Sequence, residues 1–598
     1  MVFPRRGVRE AAATGPALLR GAARHSAGRT AAVLVCSAAS AGAALAAPAV
    51  VGRTLDLLLS RSPGAGYGAD AWLVLCAAVV TAEVLLDALV ALIGGVTSAR
   101  STAWLRMRAL TGLLASSPER GGKLAPGDVA TRLSANATEA GTAPVSAAAL
   151  AASLLAPAGA LVALFLIDGW TALAFLTGLP LLVLVVRAFA RGSSDSVARY
   201  QRVQSDIASR LVEALGGART IAAAGTADRE RDRVLAPLPE LGVQGRRMWR
   251  VHGRAVARSG VLMPLLTTGV LAVGGVRLAS GAISVGELLA VSRYAALAAG
   301  VGAGTGLLGA LIRSGAAASR TAELVALPAL AHGRGSLPAG GAGTLTLRGV
   351  RIVRDGRRLL HDVDLEIPGG VTAAVVGRSG AGKSTLAAVA GRLTDPDAGH
   401  VLLDGVRLET LGRTELRREV GYAFERPVLF GDTIGEALAW GAERAPADRT
   451  RAAAGAAGAD AFVRLLPHGY DTPRTGAPLS GGELQRLGLA RAFAHAGRLL
   501  ILDDATSSLD TVTERQVERA LARDVRASTK LIIAHRLSSA VRADVVVWLE
   551  EGRVRAVAPH AELWRSPEYR AVFAPPGGNA DSVPAGGRPE ETGAEGPA

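Results

Sequence analysis

Eight consecutive residues carry the clearest chemistry in the chain: Gly377-Arg378-Ser379-Gly380-Ala381-Gly382-Lys383-Ser384. Glycines at the first, fourth and sixth positions let backbone N–H groups approach phosphate oxygens, and a helix beginning just after the loop adds its partial positive charge. Lys383 is placed to reach the β- and γ-phosphates of a nucleotide, and the Ser384 hydroxyl to ligate Mg²⁺. Thr385 follows at the head of the helix. A second element, Leu499-Leu500-Ile501-Leu502-Asp503-Asp504, is an apolar run ending in two acids. Asp503 fits a magnesium partner, direct or through water. Asp504 fits the group that positions or deprotonates an attacking water.

The elements around these residues have the matching form. Residues 371–376 (Val371-Thr372-Ala373-Ala374-Val375-Val376) read as a strand, so the glycine loop stands between strand and helix, the context that gives the motif its meaning. From residue 344 to 574 strand and helix patterns alternate, an α/β domain of ordinary size. Residues 328–343 are Gly/Pro-rich and read as a linker. Residues 575–598 are rich in Pro, Gly and Glu and read as a disordered tail.

The front half is of another kind. The chain has 598 residues, 49% of them hydrophobic but only 4% aromatic, and its mean hydropathy of +0.31 points to a membrane portion. Apolar runs near 31–51, 71–95, 146–167, 170–188, 259–279 and 286–312 approach the ~20 residues a bilayer requires. Six spans are expected over residues 30–327. The first run also has small residues suited to signal cleavage, but its length and the spans after it favour a membrane helix. The long loops between spans two and three and between four and five are Arg-rich, and so are residues 1–29. They and both termini are therefore expected in the cytoplasm, with helices running out of the membrane (Ile207, Leu211, Leu215). The net charge of +15 is explained by this bias. Nucleic acid is not an expected partner, because no basic stretch is interleaved with aromatics. Cys36 and Cys76 lie in apolar runs and offer neither a disulfide framework nor a metal cluster.

With these motifs in place the chain resembles a known family. Leu479-Ser480-Gly481-Gly482-Glu483 looks like the signature segment of ATP-binding cassette (ABC) transporters, Ala505–Asp510 like their D-loop, and Ile532–Leu537, with His535, like their switch-histidine segment. Residues 127–133 and 213–221 resemble the intracellular loops of the family's exporters. The resemblance implies a type I exporter half-transporter: a six-span α-helical membrane domain fused to a C-terminal α/β P-loop domain. It implies two paired chains, with MgATP between the phosphate loop of one and Leu479–Glu483 of the other. It further implies ATP hydrolysis driving export or flipping across the plasma membrane.

Four positions depart from the family pattern. Asp504 stands where Glu is usual, Glu425 replaces the Q-loop glutamine and remains able to ligate magnesium, and Arg354 occupies the place of the adenine-stacking aromatic, where a guanidinium plane can stack instead. The stretch between Asp471 and Leu479 lacks the usual acid. Such departures favour a heterodimer over a homodimer and raise one alternative, a catalytically weakened regulatory half; an exporter-fold importer is a second alternative, because the resemblance extends to family members that run in the reverse direction. Within the second span, Glu83 and Asp87 share a helix face and read as a site for a cationic substrate group, as an interhelical lock with an Arg such as Arg293, or as a position already level with the inner headgroups. The glycines of the sixth span, Gly300 to Gly306, suggest close packing or flexibility. The wording of residues 482–511 is similar to actinobacterial exporters of lanthipeptide-type peptides.

Overall fold

The computed structural model describes residues 14–59, 66–122, 124–441, 443–523, 525 and 528–573. The expected tail from residue 575 and the arginines at positions 5, 6 and 9 lie outside the described residues. The chain forms two compact units, one of residues 1–113 and 124–327, the other of 114–123 and 328–598.

The first unit is helical. Ala27–Leu59, Asp70–Ala115 and the run Pro126–Ile167 are long and apolar enough to cross a membrane, with hydropathies of 1.9, 2.3 and 2.3. The other expected spans fall within the helices Gly169–Gly216, Leu238–Ala279, and Val285–Ala298 with Ala303–Val325. Large apolar side chains such as Val74, Leu92, Phe165 and Leu166 stay exposed, as a lipid-facing surface requires. Gly66–Ala115 has 50 residues, a length of about 75 Å at the α-helical rise, more than twice the hydrocarbon core.

Two details differ from expectation. Residues 15–25 form an amphipathic helix whose Leu18 and Ala22 are buried. The sixth span is interrupted by a 3₁₀ turn, Ala299–Gly302. Gly300 and Gly306 have open space where a side chain would stand, so close packing occurs elsewhere, where Gly52 meets Gly286. There a Cβ on Gly286 would lie 1.9 Å from the Gly52 carbonyl oxygen. Beside this crossing Asp56 accepts hydrogen bonds from Ser284 Oγ (2.5 Å) and Gly286 N (2.7 Å), so the first span caps the helix Val285–Ala298.

Among its described residues the second unit holds ten strands: β1 (Leu345–Arg354), β2 (Arg357–Ile367), β3 (Thr372–Val376), β4 (Ala398–Leu403), β5 (Val406–Arg407), β6 (Val420–Phe424), β7 (Leu499–Asp503), β8 (Thr529–Ile533), β9 (Val545–Glu550) and β10 (Arg553–Ala558). They make a four-stranded sheet, β2-β1-β4-β5, and a six-stranded sheet, β10-β9-β3-β8-β7-β6. Strands β9, β3, β8, β7 and β6 run parallel. Buried Val375, Leu386, Ile501, Leu531 and Val547 join strands of both sheets and the helix Lys383–Ala390 in one core with Leu345 and Ile367. Residues 328–343 pack on this unit: Gly333 N donates to Glu409 O (3.0 Å), Gly335 N to Thr410 O (2.8 Å), and Leu337 is buried.

Candidate active site

Parallel strands put their carboxyl ends on one edge, where α/β proteins bind ligands. Here the register is tight. Phe424 pairs with Asp503 and Asp503 with Ile533, while Val375 also pairs with Ile533. The next residues along each strand therefore emerge in a row: Glu425 after β6, Asp504 after β7, His535 two residues past β8, and the glycine loop after β3. Apolar burial of the strands, which sets this register, thus places four chemically different segments around one cleft.

The cleft has a volume of about 450 Å³ and is lined by Ser379, Gly380, Gly382, Lys383, Ser384 and Thr385 with Glu425, Asp503, Asp504 and His535. Leu359, which motif reasoning missed, completes it. Gly377, Arg378 and Ala381 of the same loop are not among the lining residues. The carbonyls of Gly377 and Arg378 accept from Lys383 Nζ at 2.9 and 3.1 Å. Gly382 has φ +100°, and a Cβ there would come within 2.8 Å of the Leu359 carbonyl oxygen, so only glycine lets the loop turn into its helix. Burial pulls the Lys383 ammonium below its ordinary pKa, opposed by Asp504 and Asp503.

Ser384 Oγ donates to Asp503 Oδ1 at 2.9 Å, and Tyr422 OH donates to Asp503 Oδ2 at 3.2 Å. Burial pushes the Tyr422 phenol well up, with Asp503 adding to the effect. Asp504 is half-buried and has φ +51°, a conformation in which Asp is enriched. Burial raises its carboxyl above the usual range. Glu425 and Asp503 add to the rise, and His535 and Lys383 oppose it.

Gln485 is a further participant that the sequence displayed without revealing its role. It is 2% exposed and donates to the carbonyls of Glu425 (3.4 Å) and Asp504 (3.5 Å), while Ser508 N donates to its Oε1 (3.0 Å). It belongs to the helix Gly481–His495, whose N-terminus is built by a capping box between Ser480 and Glu483. The signature residues Leu479–Glu483 do not line the cleft, so Gln485 is the link between their helix and the turn after β7.

Arg354 is placed differently from the sequence expectation. Its guanidinium pairs with Glu119 and with Asp397 (3.0 Å) and donates to Thr394 Oγ1 (3.1 Å). It is 12% exposed and does not line the cleft, so it holds segment 114–123 to this unit rather than presenting a face to a base. In the membrane unit, Asp87 accepts from Ser40 Oγ (2.5 Å), so its partner is a serine of the first span and not Arg293. Glu83 is half-buried on the same helix.

Family models agree with this architecture. The model for the ABC transporter transmembrane region matches residues 30–300 and that for the ABC transporter matches residues 360–507. Over 541 residues the chain is 61% identical to the ABC transporter ATP-binding protein RamA of Streptomyces coelicolor, covering 90% of this chain and 84% of that one. The chain belongs to the ABC transporter family. More distant relatives include the mitochondrial potassium channel ATP-binding subunit of Xenopus tropicalis, 36% identical over 65% of the transporter and 59% of that protein. Another is the ATP-dependent lipid A-core flippase of Albidiferax ferrireducens, 43% identical over 36% of the transporter and 38% of that protein. In fold the transporter is similar to a bacterial Atm1-family ABC exporter solved with ATP bound, at a TM-score of 0.78 and 23% identity over 95% of this chain and 99% of that one. The transporter is thus a membrane-spanning half-transporter with a cytoplasmic ATP-binding domain, it couples ATP hydrolysis to transport, and it is completed by a second chain.

Proposed function

We propose that the transporter is one half of a heterodimeric exporter whose own phosphate loop binds MgATP and hydrolyses it slowly, and that its substrate is a peptide of lanthipeptide type. The observation that carries the site reading is the row of Glu425, Asp504 and His535 facing Lys383 and Ser384 across one cleft. In this reading the loop amides of 377–385 hold the triphosphate, and Lys383, already fixed by two carbonyls, meets its β- and γ-oxygens. Ser384 and Asp503 are adjacent oxygen donors, and Glu425 lines the same cleft. Among the described residues no three acidic, His or Cys side chains form a metal cage. That suits magnesium, which keeps waters and phosphate oxygens in its shell. Bound there, the ion would neutralise phosphate charge. Asp504 accepts the proton of the attacking water, and His535, exposed after β8, contacts the γ-phosphate. Leu479–Glu483 present the amide end of a capped helix to the ATP of the second chain.

Within the chain we assign residues 1–29 to the cytoplasm, 30–327 to the membrane domain with its lipid contacts, 328–343 to a linker and 344–574 to the nucleotide-binding domain. The heterodimer reading is supported by the one-methylene-shorter Asp504 and by Glu425, which fit a weakened half. The peptide reading is supported by the wording of residues 482–511. Ser40 and Asp87 join two spans and favour the interhelical lock over a substrate role for Glu83 and Asp87.

ATPase turnover of the purified chain, alone and co-expressed with a second half-transporter, tests this. The expected result is slow turnover alone, a rise with the second half and a lanthipeptide precursor, and a loss of ~10²-fold or more in Lys383→Ala, whose cation meets the transferring phosphate. Full-rate turnover by the chain alone would sink the weakened-half reading. Indifference to the peptide would sink the substrate assignment.

A further inference from the structure

On the far side of β7 from the cleft, a groove of about 650 Å³ opens between the helix Thr511–Arg523 and the helix Leu537–Arg542. Its floor is apolar, with Leu502, Leu521 and Ile532. Its wall carries Arg515, Arg519 and Arg523, spaced four apart and therefore on one helix face. None of the three makes a hydrogen bond or ion pair among the described residues. The acid in the lining, Glu518, is already paired with Arg542. Like charges at this spacing destabilise a helix, so an apolar trench walled by three unpaired guanidiniums is complementary to an acidic segment.

Such a segment follows in the same chain. Residues 574–598 contain Asp581, Glu590, Glu591 and Glu595 against one basic residue, Arg588. The described chain ends at Phe573, which packs in a cluster with Ala543, and Ala543 also lines the groove. The 25 residues beyond Phe573 reach up to about 80 Å when extended, far more than the distance required. We propose that the acidic C-terminal segment of the transporter docks in this groove of its own chain, setting Glu590 and Glu591 against Arg515, Arg519 and Arg523. The docked segment bears on the back of β7, whose Leu502 precedes Asp503, and on Thr506 in the turn after Asp504.

The test uses the full-length chain in membranes with Cys36→Ser and Cys76→Ser, to which Ala522→Cys and Thr592→Cys are added. Mild oxidation is expected to form a disulfide within one chain. Arg515→Glu with Arg519→Glu should cut its yield by about tenfold, each exposed ion pair being worth up to about fivefold. Adding Glu590→Lys and Glu591→Lys to that variant should restore the link, which also shows that the reversed chain is folded. No link, a link indifferent to both reversals, or a link only between two chains would overturn the proposal. So would a charge-restored variant that stays unlinked.

Discussion

Asp504 concentrates the chemistry of this transporter in one side chain. It lies at the end of a buried strand, in a left-handed conformation, with its carboxyl pushed upward by burial. Asp504→Glu moves the carboxylate more than an ångström toward the water and is expected to raise turnover, by up to roughly 10²-fold if position is what limits the rate. Glu is less at ease at positive φ, so the same variant should lose about 1 kcal/mol of stability. Unchanged turnover would remove position as the limit. The pH sign follows from the role. The proton acceptor works deprotonated, so turnover rises with pH through the raised pKa and is level above it. The acid limb should therefore lie above the ordinary carboxylate value near ~3.9, and Asp504→Asn should abolish turnover while ATP binding persists. Arg354 supplies a second test by ATP titration. Loss of a base-stacking group costs ~1–3 kcal/mol, whereas a guanidinium committed to Glu119 and Asp397 should leave ATP affinity in Arg354→Ala nearly unchanged. The measurable effect there is instead faster proteolysis of segment 114–123.

Among the elements, the helix contacts of the membrane unit rest on glycine. Gly286→Ala forces a Cβ to within 1.9 Å of the Gly52 carbonyl oxygen, and overpacking of this kind costs about 1–3 kcal/mol. Gly300→Ala meets nothing within 4 Å and should leave thermal unfolding unchanged. A melting comparison of the two separates close crossings from glycines that merely accumulate. The same contrast explains why this half was less legible in the sequence. Apolar length marks a span, but a backbone-to-backbone crossing leaves no periodic trace, and a run of glycines at 300–306 is louder than the pair that actually touch. The break at Ala299–Gly302 and the helix Gly15–His25 were invisible for the related reason that each depends on what packs against it.

At the scale of the whole molecule, the α/β half was legible almost entirely. Its chemistry stands at the ends of apolar strands, where motif and burial pattern coincide: the loop after β3, the acids after β7 and the histidine after β8 were all placed by order alone. What order could not show were the side chains that act across elements. Gln485 sits in the signature helix but serves the turns of β6 and β7. Arg354 sits at the end of β1 but answers to Glu119, 235 positions earlier. Both are long-range polar contacts, and a single sequence carries no signal for them. The membrane class was legible from composition, with 49% hydrophobic residues and few aromatics, and the ATP-binding class from the glycine loop standing between strand and helix.

The crossing of Gly52 with Gly286, capped by Asp56, has a consequence for motion. Two helices whose backbones touch and whose polar ends are tied by two hydrogen bonds cannot slide along one another without breaking both. The first span and the start of the last must therefore swing as one lever from that end. Substrate passage is therefore expected to open by parting other helices, so that a crosslink between these two should leave transport intact.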